Sequence, residues 1–354
     1  MSTQPSKALF VNESAKFSVR NDISHEPLAD NELSIEVHFS GVNPADTKHA
    51  THLGIRSTVT GYDFCGHVLS SPASSVFKHG DVVAGYSPLG FHRSCRYGTH
   101  QRYIACPEDL IFKVPSNLPE SHAAALTVVT MTAADVVYNL WNTPFLTTPE
   151  NITRPILIWG ASSSVGLCVV QFAKKNGYRN IFVTASTARH DLLKELGATH
   201  VFDYKSPSVL QDIAAGVESL GQGSITYALD AAGTIASPNS AELVLQAVGS
   251  IEVNLASVIV REDTRFQMPL GMKKDSWTIQ PFGVPSPITI PARPEQHWNA
   301  WKALLWAVDN YGKEFRLPSV DVFEGKAEEA LQELIKVGDG ERGFGKLVIR
   351  QPMY

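Results

Sequence analysis

The chain has 354 residues, 44% of them hydrophobic and 18% charged, with a formal net charge of −5 at pH 7. At 38.6 kDa it exceeds the size at which one hydrophobic core keeps growing, so two domains are expected. The composition excludes a disordered or fibrous chain, the acidic balance excludes an electrostatic footprint for nucleic acid, and the lack of an apolar run of about 18 residues argues against a membrane span.

In chain order, the first part reads as short strands punctuated by turns. They fall at residues 8–11, at 33–40 with alternating Leu33, Ile35, Val37 and Phe39, and at 66–69 and 81–84, the pattern of a small irregular β-barrel. A helix at 121–140, entered through Pro119 and Glu120, reads as a linker into a region where strand and helix alternate. That region holds strands at 155–158, 181–184, 225–230 and 249–253, with a helix at 191–196, as a doubly wound parallel sheet requires. Residues 262–291 break the alternation with Pro269, Pro281, Pro285, Pro287 and Pro291 around Met268, Trp277 and Phe282, and read as a long exposed loop or interface segment. A helix at 295–311 and a closing strand at 345–350 complete the chain. The expected division is 1–125, completed by 315–354, as the barrel domain, and 126–314 as the nucleotide domain.

The termini and cysteines add little. The segment 1–7 lacks the apolar core of a signal peptide, which leaves a cytoplasmic location as the expectation. Cys65, Cys95, Cys106 and Cys168 lack the close spacing of a zinc knuckle, so no metal is expected.

The most informative stretch follows the strand at 155–158. Gly160, the small residues Ala161, Ser162, Ser163 and Ser164, then Val165 and Gly166 open directly into a helix whose apolar face carries Val165, Cys168, Val169 and Phe172. Lys174 and Lys175 fall in its last turn and Gly177 caps it. Gly160 suits the tight exit from the strand, the small residues leave room for a pyrophosphate on helix N–H groups, and Gly166 permits close helix–strand packing. The next strand ends in Ala185, Ser186, Thr187, Ala188, Arg189 and His190, where an acid for a ribose hydroxyl would stand in an NAD site. No carboxylate is there. Ser186, Arg189 and His190 instead suit a 2′-phosphate, which favours NADPH; alternatively Ser186 caps the following helix and Arg189 is solvated.

The order of parts resembles the medium-chain dehydrogenase/reductase superfamily, and within it the zinc-free quinone reductases and fungal trans-acting polyketide enoyl reductases. The resemblance spans nearly the whole chain and rests on 41–48 (GVNPADTK), 61–68 (GYDFCGHV), the turn at 160–166, 185–186, 196–198, 201–204 and 345–350. It implies an α/β fold, with a Rossmann doubly wound parallel sheet domain beside a GroES-like irregular β-barrel domain. Zinc alcohol dehydrogenases of this superfamily would carry Cys at Asn43 and His-Glu at Tyr62 and Asp63, so a metal-polarised alcohol oxidation is not expected by this route. His67 reads as a packed or surface histidine, and Asp63 as a turn and packing residue.

The same resemblance implies that Ser186, Arg189 and Tyr204 contact the 2′-phosphate, that Thr132 lies near the nicotinamide, and that Asn43 and Lys48 face the same crevice. The chemistry it implies is conjugate reduction of an α,β-unsaturated polyketide thioester on the acyl carrier domain of a partner synthase. Lys48, Thr132 and Asn43 are the candidate catalytic residues. Reduction of free quinones or enones is the alternative within the same chemistry, and an NADPH-binding partner protein without turnover is the alternative outside it.

Overall fold

The computed structural model describes residues 6–145, 152–249, 252–271 and 273–354. The chain begins with β1 (Ala8–Val11), β2 (Phe17–Arg20), β3 (Glu32–Gly41), α1 (Ala45–His52), β4 (Thr58–Val59), β5 (Asp63–Ser70), β6 (Val82–Tyr86), β7 (Tyr103–Pro107) and β8 (Ile111–Lys113). There follow α2 (Glu120–Ala134), β9 (Ile156–Trp159), α3 (Ser164–Lys175), β10 (Ile181–Ala185), α4 (His190–Leu196), β11 (His200–Asp203), α5 (Val209–Leu220), β12 (Tyr227–Asp230) and α6 (Ser240–Val248). The last elements are β13 (Asn254–Ser257), β14 (Phe266–Gln267), β15 (Trp277–Ile279), β16 (Ile288–Ile290), α7 (Pro294–Asp309), β17 (Val320–Phe323), α8 (Ala327–Asp339) and β18 (Lys346–Arg350).

The first compact unit comprises residues 1–128, 272–294 and 317–354. Its main sheet has the order β17-β18-β3-β5-β6-β8, with β7 also on β3, and β2-β1-β4 form a small second sheet. β3 is the organiser because it pairs with β5, β7 and β18. Its alternating Leu33, Ile35 and Val37 are fully buried, as a period of two requires of a strand with a core face. The closing strand returns to this unit: Val348, Ile349 and Arg350 of β18 pair antiparallel with Gly41, Ser40 and Phe39.

The second unit comprises residues 129–271 and 295–316. Its six strands are all parallel, in the order β11-β10-β9-β12-β13-β14. That is the dinucleotide-binding order 3-2-1-4-5-6, whose direction of winding reverses between β9 and β12. The run Glu120–Leu140 is long and apolar enough to cross a membrane by composition, but 78% of its most apolar window is buried in the fold. Its last part, Asp135–Leu140, widens into a π-helix.

Three expectations differ from this fold. The strand expected at 249–253 is β13, at Asn254–Ser257, where Tyr227 of β12 pairs with Asn254; Ser250 and Ile251 lie outside the described residues. Gly249 is instead the left-handed C-cap of α6, at φ +57°, so the glycine ends a helix rather than opening a strand. The segment 262–291 is also more ordered than a loop. β14 extends the parallel sheet, β15 and β16 form an antiparallel hairpin, and Trp277 is buried, while Phe282 is exposed. Residues 272–294, read from sequence as part of the nucleotide domain, group with the first unit.

Candidate functional site

The turn after β9 is shaped by backbone proximity. Gly160 has φ +81°, and a Cβ there would stand 2.7 Å from the Ala232 Cβ and 2.8 Å from the Ala232 nitrogen. Both the conformation and the close approach of the chain leaving β12 therefore require glycine. A Cβ on Gly166 would stand 2.7 Å from the Ala161 Cα, so the helix starts tight against the turn. The Gly160 N–H is held by Thr184 Oγ1 at 3.0 Å and the Ala161 N–H by the Thr184 carbonyl at 3.0 Å. Ser163 is the N-cap of α3, accepting the Gly166 N–H at 3.1 Å. The N–H groups of Ser164 and Val165 lie in a first turn that offers no intrahelical acceptor, and the side chains of Ser162 to Val165 are only partly covered. A bare turn, small side chains and N–H groups at a helix N-terminus fit a dinucleotide pyrophosphate. The helix end also matches its pattern: Gly177, at φ +85°, donates to the Lys174 carbonyl at 2.9 Å.

The end of β10 meets the end of β11. Ala185 is in register with Asp203, and the Tyr204 N–H donates to the Ala185 carbonyl at 3.4 Å. Ser186 stands before the short 3-10 turn Thr187–Arg189, yet its hydroxyl does not cap that turn. The Arg189 N–H closes the turn onto the Ser186 carbonyl at 2.9 Å. His190 Nε2 lies 3.3 Å from the Ala185 carbonyl and is the donor there, which leaves Nδ1 facing elsewhere. Tyr204 is 46% exposed, with the Lys205 ammonium 5.7 Å from its ring centre. The Asp203 carboxylate at the end of β11 accepts the Lys205 N–H at 3.0 Å within its own turn. Ser186, Arg189 and His190 thus follow β10 where Tyr204 and Lys205 follow the neighbouring β11, and Lys205 is a cation that sequence reasoning did not single out.

The other carboxylate at this end of the sheet, Asp230 on β12, is taken by Arg261. The pair is buried; Arg261 also donates to the Thr234 carbonyl and Ser240 Oγ, each at 2.9 Å, and the Ser257 hydroxyl donates to Asp230 at 2.9 Å. Sequence reasoning missed Arg261, whose signal is a lone arginine just past a strand that ends beside an aspartate. Thr132 lies partly buried on α2 within the second unit.

In the first unit, Asn43 and Asp63 are joined by Lys346. The Asn43 amide nitrogen donates to Asp63 Oδ2 at 2.9 Å, its amide oxygen accepts from the Lys346 ammonium, and that ammonium is 3.6 Å from the same carboxylate oxygen. The other Asp63 oxygen accepts the Val128 N–H of α2 at 2.7 Å. All three side chains are buried. Burial pushes the Asp63 carboxyl up to about 6, against the opposing pull of the Lys346 ammonium and the Asn43 amide. Asp46 Oδ2 accepts the Asn43 backbone N–H at 2.8 Å and faces His100 Nε2 at 3.1 Å.

Tyr62 is tied up separately. Its hydroxyl meets His49 Nδ1 at 2.9 Å, and the buried Arg93 lies over its ring at 4.6 Å. Burial raises the Tyr62 phenol and pushes the His49 imidazole down to about 4, so a protonated phenol donates to a neutral ring. Asn43, expected to face the substrate, is thus engaged at both ends of its amide. Lys48 is exposed on α1. Lys346 was legible only as part of the closing strand at 345–350; a lysine just ahead of the apolar run at 347–349 was the available signal.

Two family models match the chain: an alcohol dehydrogenase GroES-like domain over residues 29–116 and a zinc-binding dehydrogenase domain over residues 164–260. The second begins beyond Asn43, Tyr62 and Asp63, so its description does not bear on those positions. Among curated relatives, the trans-enoyl reductase himH of Aspergillus japonicus is 33% identical over 189 residues, which is 52% of this chain and 55% of that protein. The chain therefore matches little more than half the length of that relative. The trans-enoyl reductase mpsG of Macrophomina phaseolina is 27% identical over 98% of this chain and 99% of its own. Among solved structures, the CurK enoyl reductase covers 98% of this chain and 99% of its own with a TM-score of 0.70 at 18% identity, a likeness of fold. With both domains matched in their order and the two-unit architecture in place, the chain belongs to the medium-chain dehydrogenase/reductase superfamily.

Proposed function

We propose that the protein is an NADPH-dependent enoyl reductase that works in trans, in the cytosol, on an α,β-unsaturated thioester borne by the acyl carrier domain of a polyketide synthase, with no metal in the reaction. The observation that carries this reading is the Asn43–Asp63–Lys346 cluster. The positions that hold zinc ligands in alcohol-oxidising members of the superfamily are filled by side chains engaged elsewhere: Asn43 and Asp63 with each other and Lys346, and Tyr62 with His49. An amide and a phenol are also poor replacements for a thiolate and an imidazole. The names of the relatives support the enoyl substrate, and the partly exposed Ser186, Arg189 and His190 after β10, with the exposed Tyr204 and Lys205 after β11, support the 2′-phosphate.

Bound NADPH supplies a hydride for the β-carbon, and negative charge then develops on the thioester oxygen. The turn at 160–166 holds the pyrophosphate through backbone N–H groups. Ser186, Arg189 and Tyr204 hold the 2′-phosphate, joined by Lys205 and by the ring nitrogen of His190 that does not meet Ala185. Lys48 and Thr132 supply donors for the developing oxyanion, and Lys48 or water returns a proton to the α-carbon. Asn43 acts as a positioning residue through the buried cluster. The test is turnover of an enoyl thioester with NADPH before and after exhaustive chelation. Reduction should survive chelation and prefer NADPH to NADH; a tightly held zinc whose removal abolishes turnover would overturn the reading.

A further inference from the structure

Away from the groups described so far, His38, His67 and Glu120 each bring one ligand atom to within 4.8 Å of the others. They come from three elements of the first unit: β3, β5 and the first residue of α2. His38 Nδ1 lies 3.2 Å from Glu120 Oε2, and the two imidazole rings are 4.1 Å apart between centres, tilted by 54°. The backbone builds this meeting. Val37 of β3 is opposite Gly66 and Phe39 is opposite Cys65, so His38 is the extra residue of a bulge, a device that re-aims a side chain. His67 sits in the same ladder opposite Glu36. Glu120 opens α2, where the helix end favours a carboxylate. All three side chains are partly covered and reachable from solvent.

We propose that His38, His67 and Glu120 form a binding site for a divalent transition metal, zinc above all, separate from the reaction. Two imidazoles and a carboxylate are a set that zinc accepts, with water completing the tetrahedron, whereas magnesium and calcium seek oxygen-only shells. Donor atoms on a tetrahedron with bonds of about 2.0–2.1 Å stand roughly 3.3 Å apart, and His38 and Glu120 already do so at 3.2 Å. Small rotations of the partly exposed His67 ring close the remaining edges. The ion would tie β3 and β5 to the start of α2, replacing a partly exposed His–Glu contact that by itself contributes little.

The test titrates zinc chloride into the full chain at pH 7.5 against a chromophoric chelator and follows the melting temperature in parallel. The wild type should take up one equivalent with micromolar affinity and melt higher with zinc than without it. Glu120→Gln, which keeps the shape of the side chain, should weaken uptake at least about tenfold, equivalent to 1.4 kcal/mol. A His38→Asn, His67→Asn double variant should abolish both uptake and the thermal shift. The X-ray absorption edge of the zinc-loaded wild type should show two imidazole ligands. The proposal fails if the wild type takes up no zinc at about 100 μM, a concentration chosen well above a micromolar Kd. It fails equally if the folded Glu120→Gln and double variants bind as the wild type does, which would assign uptake to other histidines.

Discussion

The nucleotide turn of the second unit and the Asn43–Asp63–Lys346 cluster of the first are both polar places at the ends of strands, and they are built in opposite ways. The turn removes side chains: Gly160 and Gly166 make room, and backbone N–H groups are left to meet an anion. The cluster buries side chains, and an ammonium, a carboxylate and an amide satisfy one another in the interior of the unit. A site of the first kind is open by construction and costs little stability. One of the second kind is rigid, holds its members by mutual need, and is damaged most by losing one partner.

The largest effect is therefore expected at the cluster. Lys346→Met leaves a buried carboxylate without its cation and should destabilise the protein by about 3–5 kcal/mol, read by denaturant unfolding. Lys346→Met combined with Asp63→Leu should recover much of that loss, and failure to recover would mean the pair is not the source of the cost.

At the proposed chemistry, Lys48→Met or Thr132→Ala should lower kcat by about 100- to 1,000-fold while leaving cofactor affinity nearly unchanged, because each acts on charge that develops only in the transition state. At the edge of the nucleotide site, Arg189→Ala with Tyr204→Phe should weaken NADPH by roughly 10- to 150-fold per contact and barely touch NADH. Equal affinity of the wild type for the two cofactors would contradict the assignment of the 2′-phosphate.

The smallest effect is one of pH. The folded-state pKa of His49 is about 4 against an ordinary value of 6.5. Its contribution is therefore complete above 6.5 and is lost as pH falls toward 4, by at most about 2 kcal/mol between pH 6.5 and 5. Asp63 works the other way. Its pKa of about 6 lies above its ordinary value of 3.8, so protonation favours the folded state as pH falls from 6 toward 3.8. In His49→Gln only the Asp63 part remains, and the melting temperature should hold up better on acidification than in the wild type. Parallel acid profiles for the two proteins would show that His49 is not the group that titrates.

Local rules made the turn legible. The glycine spacing, the apolar face of α3 and the cap at Gly177 each concern residues within one or two turns of each other, and they stand where the pattern puts them. What was not legible depends on distance along the chain. The Lys346–Asn43 bond spans 303 residues, and nothing near either residue announces the other. Asp230 meets Arg261 across 31 residues, through α6 and β13, whose return is set by the sheet. The proline-rich 262–291 stretch hid a hairpin because prolines punctuate without forbidding the short strands between them. The His38 bulge is likewise invisible in a strand whose alternation reads as regular.

The central claim is hydride delivery from NADPH to an enoyl thioester, and its most direct test is a single-turnover reaction with NADPH deuterated at C4 and an enoyl chain on a phosphopantetheine arm. Deuterium should arrive at the β-carbon of the saturated product, with the α-proton drawn from solvent or from Lys48. A protein that leaves every enoyl thioester unreduced while rapidly oxidising NADPH with free quinones would contradict the account.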